Sequence, residues 1–303
     1  MKITYLLSAL LLALTTSFTS CKSDTSSAAN DTAAPFEMAK AAYEKEDNAA
    51  NAKAYIENIR KAVVNGEGDK KALLETGLEI AEKYKMGPTA VSFFMPLIKD
   101  YQDANTPEHI AKLASALKDL GRDNAAEIMT QSYLSQAPEG KFAELLKTKV
   151  GSDLKNPSDR LKEMAEAVFV EPDKYGINRK SAQRYVDACE AYALGFPKAN
   201  DAPTYLYRGA EMARTLKTYN KALAIYDWIA EKYPNYEKTP TTLFLKGFML
   251  ENELADKPKA KEVYQSFLKL YPNHELTDDI NFLLENIDKS DKEIMEMIEQ
   301  KKK

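Results

Sequence analysis

The chain is poor in residues that staple, ligate and turn. Its 303 residues include 2 cysteines, 2 histidines, 1 tryptophan and 11 glycines. The histidines, His109 and His274, stand far apart and no HExxH joins them, so no metal site is expected and each reads as solvated surface. No GxGxxG, GxxxxGK[ST] or GxSxG pattern occurs, which removes the usual phosphate cradles and nucleophile elbows. The acid pairs Glu251 with Glu253 and Asp278 with Asp279 are what solvated helix faces and helix starts contain. No catalytic residue, cofactor or small-molecule cofactor site is therefore expected. The net charge of -4 is modest, and no basic tract precedes the last three lysines. That leaves no electrostatic footprint for nucleic acid. No apolar run reaches the roughly 20 residues that a membrane-spanning helix needs.

The N-terminus carries a short apolar run instead. Lys2 supplies a positive charge, and residues 3–14 form an apolar core of 12 residues, too short to span and suited to a signal peptide. The sequence then reads Thr15, Thr16, Ser17, Phe18, Thr19, Ser20, Cys21. A cysteine after an apolar core and small residues resembles the bacterial lipobox, with Phe18 departing from the usual leucine. The resemblance implies cleavage before Cys21, lipid on its thiol and attachment to a membrane. Cys189 would then have no partner and no intrachain disulfide would form. It lies in an apolar helical pattern with Val186 and Tyr192 and reads as a small buried hydrophobe. Residues 22–34, KSDTSSAANDTAA, have too little apolar bulk to offset chain entropy and read as a flexible tether. Lys22 and Asp24 are loosely similar to surface-export signals, which leaves a surface location open beside the periplasmic one.

From Pro35 onward the apolar spacing is helical. Tyr55, Ile59, Ala62 and Val63 form one stripe; Leu74, Leu78 and Ala81 another; Ile110, Leu113, Ala114 and Leu117 a third. Thr106 and Pro107 mark a helix start, and Ser290 with Glu293 forms a capping box before a last helix. Gly209, Lys221, Ala222, Tyr226, Tyr233, Pro234, Asn235 and Glu237 recur as Gly247, Lys259, Ala260, Tyr264, Tyr271, Pro272, Asn273 and Glu275, each 38 residues on. Eight coincidences at one offset indicate a duplicated unit. Weaker copies carry Gly77, Ala90, Phe94 and Leu97, and then Ala126, Thr130, Tyr133 and Pro138. Residues 182–197 read as one more second helix of a pair, stopping at Gly195-Phe196-Pro197. In each unit the glycine is expected to let the second helix approach, with the alanine seated against it and the tyrosine filling space toward the next unit. The 17 tyrosines and 11 phenylalanines thus read as core positions rather than a stacking platform for sugars.

These units resemble tetratricopeptide repeats: an alanine heading helix B, an aromatic four later, a proline eight after that. The match covers residues 203–275 and, more weakly, 71–140. Glycine to alanine is 13 residues here where the family has 12. Either the turn holds an extra residue or the glycine sits one place early. Residues 267–287 are also similar to tetratricopeptide lipoproteins that assist outer-membrane assembly and division, with a helix starting near Thr277.

The expected fold is all-α, a solenoid of helix-turn-helix repeats. The expected parts are a signal peptide (1–20), lipidated cysteine and tether (21–34), N-terminal repeats (35–140), an irregular junction between two repeat blocks (141–180), C-terminal repeats (181–289) and a capping helix (290–303). The resemblance implies a lipid-anchored scaffold of the bacterial outer membrane facing the periplasm, taking other proteins or peptides in a groove lined by the first helices. By that resemblance the groove residues are Tyr207, Glu211, Arg214, Leu245, Met249 and Asn252. The alternative is a surface lipoprotein that binds glycan or nutrient beside an outer-membrane transporter.

Overall fold

The computed structural model describes residues 30–152, 154–174, 176–290, 292, 293 and 295. The expected signal peptide, Cys21 and residues 22–29 lie outside these, as do most residues of the expected capping helix. The described residues form fourteen helices and no strand. They divide into two compact units, the first ending at Ala62 and the second beginning at Val63.

The first unit holds α1 (Asn30–Lys45) and most of α2 (Ala49–Asn65). The start of α1 falls inside the stretch expected as a tether, where Ala33 and Ala34 favour helix. Ala52, Tyr55, Ile56 and Ile59 are buried along one stripe of α2. The Tyr55 ring meets Phe36 edge-on at 5.5 Å and Tyr43 at 5.8 Å. The Asn51 amide donates to the carbonyls of Ala42 and Glu46, closing the end of α1 that α2 leaves behind.

The second unit is a run of antiparallel helix pairs. α3 (Lys70–Lys83) pairs with α4 (Gly87–Asp100), and α5 (Thr106–Asp119) with α6 (Asp123–Gln136). Two short helices follow, α7 (Ala143–Val150) and α8 (Pro157–Ala167), and then the long α9 (Arg179–Gly195). α10 (Ala202–Thr215) pairs with α11 (Tyr219–Lys232), and α12 (Thr239–Asn252) with α13 (Lys257–Leu270). α14 (Thr277–Asn286) begins where the sequence indicates, with Asp278 and Asp279 at its positive end. Ser290 and Glu293 form the expected reciprocal capping box.

The turns within pairs share one device. Lys85, Gly121, Lys217 and Ala255 all have positive φ, of 51, 69, 61 and 53°. Each stands five residues before the alanine of its second helix: Ala90, Ala126, Ala222 and Ala260. A left-handed residue ends the first helix and reverses the chain, at a cost of about 1 kcal/mol where it is not glycine.

Residues 141–180 do not separate two blocks. α9 packs directly on α6, where a Cβ on Gly195 would lie 2.8 Å from the Ser132 Cβ. The Ser132 hydroxyl donates to the Gly195 carbonyl at 2.8 Å. The stack therefore continues from α6 to α9, with α7 lying against α5 and α6 and α8 against α9. Arg160 of α8 donates to Glu127 of α6 at 2.7 Å, and Leu161, Met164 and Val168 are buried. α9 is polar and partly exposed in its first turns, but every position from Ala188 to Gly195 is buried, as the part of a helix enclosed by others must be. Cys189 is fully buried there, as its sequence pattern indicates, and burial pushes its thiol pKa up. The two acids of α9 find partners on neighbours: Asp187 with Arg122 at 2.7 Å, and the buried Glu190 with Lys221 at 3.0 Å.

Tyr226, Tyr264 and Phe267 lie in the core, as expected. The expected seating of alanine on glycine is corrected. The space of a Cβ on Gly247 is taken by the ring of Tyr264, 2.5 Å away, and that on Gly77 by Phe93 rather than Phe94. The Cβ space of Gly209 faces Cys189 of the preceding helix, at 3.0 Å. The histidines are corrected too, since both are half-buried. His109 stacks on Phe94, and burial holds its imidazole below the usual pKa. His274 packs against Phe267 and accepts the Leu276 amide at Nδ1.

Candidate functional site

Three adjoining hollows of the second unit gather at the turn that joins α9 to α10. α9 stops at Gly195-Phe196-Pro197, where proline cannot continue the hydrogen-bond ladder. The Phe196 amide still reaches the Tyr192 carbonyl, at 2.8 Å, and the Ala199 amide closes a turn on Phe196. The Tyr233 hydroxyl of α11 donates to the Pro197 carbonyl at 3.1 Å, fixing the turn from the other side. Around this turn lie three adjoining hollows that share Pro197 and Lys198.

The first, of about 210 Å³, lies between Ile98, Lys99 and Gln102 at the end of α4 and Trp228, Lys232 and Tyr233 at the end of α11. The second, of about 510 Å³, is bounded by Thr106 and Ile110 of α5, Ser135 and Gln136 of α6, and Phe196. The third, of about 690 Å³, opens between Pro203 and Thr204 of α10 and residues 234–237. Together they line one groove, of which the first two hollows are mainly apolar, with Ile98, Ile110, Leu194 and Pro197, and the third is more polar, with Asn200, Thr204, Asn235 and Glu237. Lys198 stands exposed in all three.

Charge is concentrated at one edge. Asp100 is met by Lys232 at 3.1 Å and by Lys70 at 3.2 Å; Glu231 is met by Lys232 at 3.0 Å and by Lys99 at 3.4 Å. Burial pushes the Asp100 carboxyl up, but Lys232, Lys99 and Lys70 outweigh it and hold the group below its ordinary pKa. Lys99 also lies over the Trp228 ring, 5.9 Å from its centre. Lys99 and Lys232 occupy the last turns of α4 and α11, where the helix dipole favours cations.

The residues expected to line a groove fall elsewhere and do not form one site. Tyr207 is half-buried under Lys238, whose ammonium sits 5.0 Å from the ring centre. Glu211 accepts the Tyr226 hydroxyl and is paired with Arg214 at 2.9 Å, so all three are engaged with one another. Leu245 is half-buried, and Asn252 is exposed with its amide turned back onto the Phe248 carbonyl. Met249 is fully buried and is removed from the groove list. Its helix is turned so that this position faces the core. The groove residues Trp228, Tyr233, Pro197 and Lys198 escaped sequence reasoning. They come from the ends of second helices and a turn, and only the proline stop at 197 signals the place. Among the described residues no group of acids, histidines or cysteine could hold a metal ion, and no helix is long and apolar enough to cross a membrane.

The architecture defines the class: an all-α protein of stacked antiparallel helix pairs. No family model matches the chain, and no curated protein is significantly similar to it. A solved structure, the complex of the TPR2AB domain of yeast Sti1 with pHSP90, aligns with 85% of this chain and 100% of that one at 17% identity and a TM-score of 0.28. That superposition is too loose to carry an argument about either fold or partner.

Proposed function

We propose that this protein is a lipid-anchored scaffold of the bacterial envelope, whose helix pairs hold a protein partner in the groove at the α9–α10 turn. One observation carries the reading. Residues of α4, α5, α6, α10 and α11 border three adjoining hollows around one turn, apolar toward α4 and α5 and more polar toward α10. Helical-repeat surfaces of this kind accept an extended or helical segment of another chain. The anchor is the thiol of Cys21, which the N-terminal sequence suits to lipid and which lies outside the described residues. In this reading the location is the outer membrane, facing the periplasm, and no residue is assigned a catalytic role.

The test is a photo-reactive residue placed at Lys198 in cells of the native host. Discrete protein adducts, lost when unlabelled protein is added in excess, support the scaffold. Adduct formation with envelope polysaccharide instead would favour the glycan-binding alternative and sink the scaffold. The anchor has its own test. Cys21→Ser should release the protein from the membrane fraction, and full retention would show that Cys21 is not the attachment point.

A further inference from the structure

The ends of α4 and α11 lie about 130 residues apart in sequence, yet they face each other across the smallest of the three hollows. What joins them is almost entirely charge. Lys99 and Asp100 on one side and Glu231 and Lys232 on the other form a square of alternating sign. Its cross-contacts are Lys99 to Glu231 at 3.4 Å and Lys232 to Asp100 at 3.1 Å. Among the described residues, α4 packs mainly on α3 and α5 and touches α9, while α11 packs mainly on α10 and α12. Lys99 also lies over Trp228, adding a further cationic contact. Behind the square sits the apolar floor formed by Ile98, Ala193, Leu194 and Pro197.

We propose that this square is an electrostatic latch: it holds the ends of α4 and α11 together over the groove and opens when ionic strength or a charged partner breaks the cross-pairs. The latch deepens the groove reading above and rests on it for its consequence, though its opening is read without any partner. The square suits this task. Asp100 is largely covered, with 12% of its side chain exposed, whereas Glu231 shows 54%. Asp100 is the fixed half and Glu231 the half that solvent reaches. Pairs exposed to this degree are each worth less than about 1 kcal/mol and are screened strongly as the Debye length falls from about 10 Å at 0.1 M salt to about 3 Å at 1 M. A hydrophobic seam at the same place would not respond to salt in that sense.

Trp228 reports on the latch directly, because it is the sole tryptophan of the chain and only 6% exposed. The experiment uses the full chain and acrylamide quenching of Trp228, with far-UV circular dichroism as control for helix content. Raising sodium chloride from about 0.05 to about 1 M should increase quenching in the wild type at unchanged helix content, with the open population rising about fivefold. Glu231→Lys leaves Asp100 as one acid among four lysines, Lys70 included, and should give the same increase at low salt. Adding Lys99→Glu to Glu231→Lys sets two acids on α4 against two lysines on α11. That double variant should restore protection at low salt and lose it again at high salt.

Quenching that responds to neither salt nor Glu231→Lys would overturn the latch. If Glu231→Lys loses helix content, the salt titration of the wild type decides alone. Cross-linking at position 198 separates the two readings. Opening with a higher adduct yield supports both, while opening with no change in yield keeps the latch and overturns the groove as partner site.

Discussion

α10 and α12 occupy the same place in two copies of one 38-residue pattern, yet they face different neighbours. In the first copy the glycine, Gly209, looks back at Cys189 on α9, and the acid that meets the Tyr226 hydroxyl is Glu211, two residues past the glycine. In the second copy Gly247 lies under the Tyr264 ring of its own partner helix, and the acid is Glu251, four residues past. A shift of two residues turns an α-helix by about 200°. That rotation carries the glycine from one side of the helix to the other. The ends of the two helices show where about half of it enters. α10 closes with the Thr218 amide on the Ala213 carbonyl, five residues back, and α12 with the Asp256 amide on Leu250, six back. The turn after α12 therefore holds one residue more. Both arrangements that a 13-residue spacing allows are present in one molecule. Duplication copied the residues, while the neighbour decided the facing: α10 must seat on the enclosed α9, and α12 has only α11 and α13.

The largest effects should come from the tyrosines that fill the two cores. Tyr264→Ala and Tyr226→Ala should each cost roughly 3–5 kcal/mol in urea unfolding. Tyr264→Ala should be the worse of the two, because glycine beneath the ring offers nothing to fill the cavity, and Glu251 loses its donor. Glu211 keeps Arg214 when Tyr226 is removed. The reverse order would mean that the two facings have been exchanged.

The glycines sharpen the same contrast. Gly247→Ala drives a methyl into a ring that is itself fully buried and should cost about 1–3 kcal/mol. At Gly209 the nearest atom is 3.0 Å away. The strain there is smaller and is offset by the roughly 1 kcal/mol that alanine gains over glycine inside a helix. Gly209→Ala should therefore leave the unfolding midpoint nearly unchanged. Equal losses at both sites would break the comparison.

The paired lysines give a pH-dependent version. Lys221 reaches back to the buried Glu190 of α9, while its copy Lys259, itself exposed, pairs with the half-exposed Asp256. Burial raises the Glu190 pKa above its unfolded value, and Lys221 opposes the rise. A carboxyl whose folded pKa is raised contributes stability that is full below the unfolded pKa and lost as pH climbs through the folded one. Lys221→Met removes the opposing charge and widens that loss. The variant should match wild type below about pH 4 and fall about 1–2 kcal/mol below it at neutral pH, less than for a fully buried pair because Lys221 is partly solvated. Lys259→Met should leave the thermal midpoint unchanged at every pH. A pH-independent loss in Lys221→Met would mean that packing of the lysine stem, not the charge on Glu190, is what matters.

How much of this was legible in the sequence varies by residue. Tyr226, Tyr264, Cys189, the start of α14 and the capping box could be read because periodicity and caps act locally. The left-handed turn residues could not, since three of the four are Lys85, Lys217 and Ala255, which carry no turn signal, and only Gly121 does. The placement of α9 on α6 was hidden because Gly195 and Ser132 meet across 63 residues. The groove was hidden for the same reason. Its walls are helix ends from distant pairs, and a repeat pattern reports the contacts within a pair, not those between pairs. Met249 was misplaced because the position equivalent to Glu211 was assumed to share its facing.

The smallest expected difference tests whether the copies agree anywhere in detail. After each Tyr-Pro-Asn the chain enters the next helix through a threonine, Thr239 or Thr277. Each hydroxyl donates to the carbonyl of the tyrosine six residues back, at 2.8 Å to Tyr233 and 3.2 Å to Tyr271. These carbonyls lie just past the ends of α11 and α13, where no helical amide remains to reach them. Both also accept a backbone amide, from Tyr236 and from His274, so neither is orphaned when the hydroxyl goes. Thr→Val at either site should cost about 1 kcal/mol or less. Thr239→Val should be the costlier, since Thr239 is buried and its bond is shorter, while Thr277 is half-exposed. Finding the two losses in that order, each well below those of the tyrosines, would place the shared register of the copies at the inter-pair turn. The same measurement with Thr277→Val the worse would move that register to the end of the array instead.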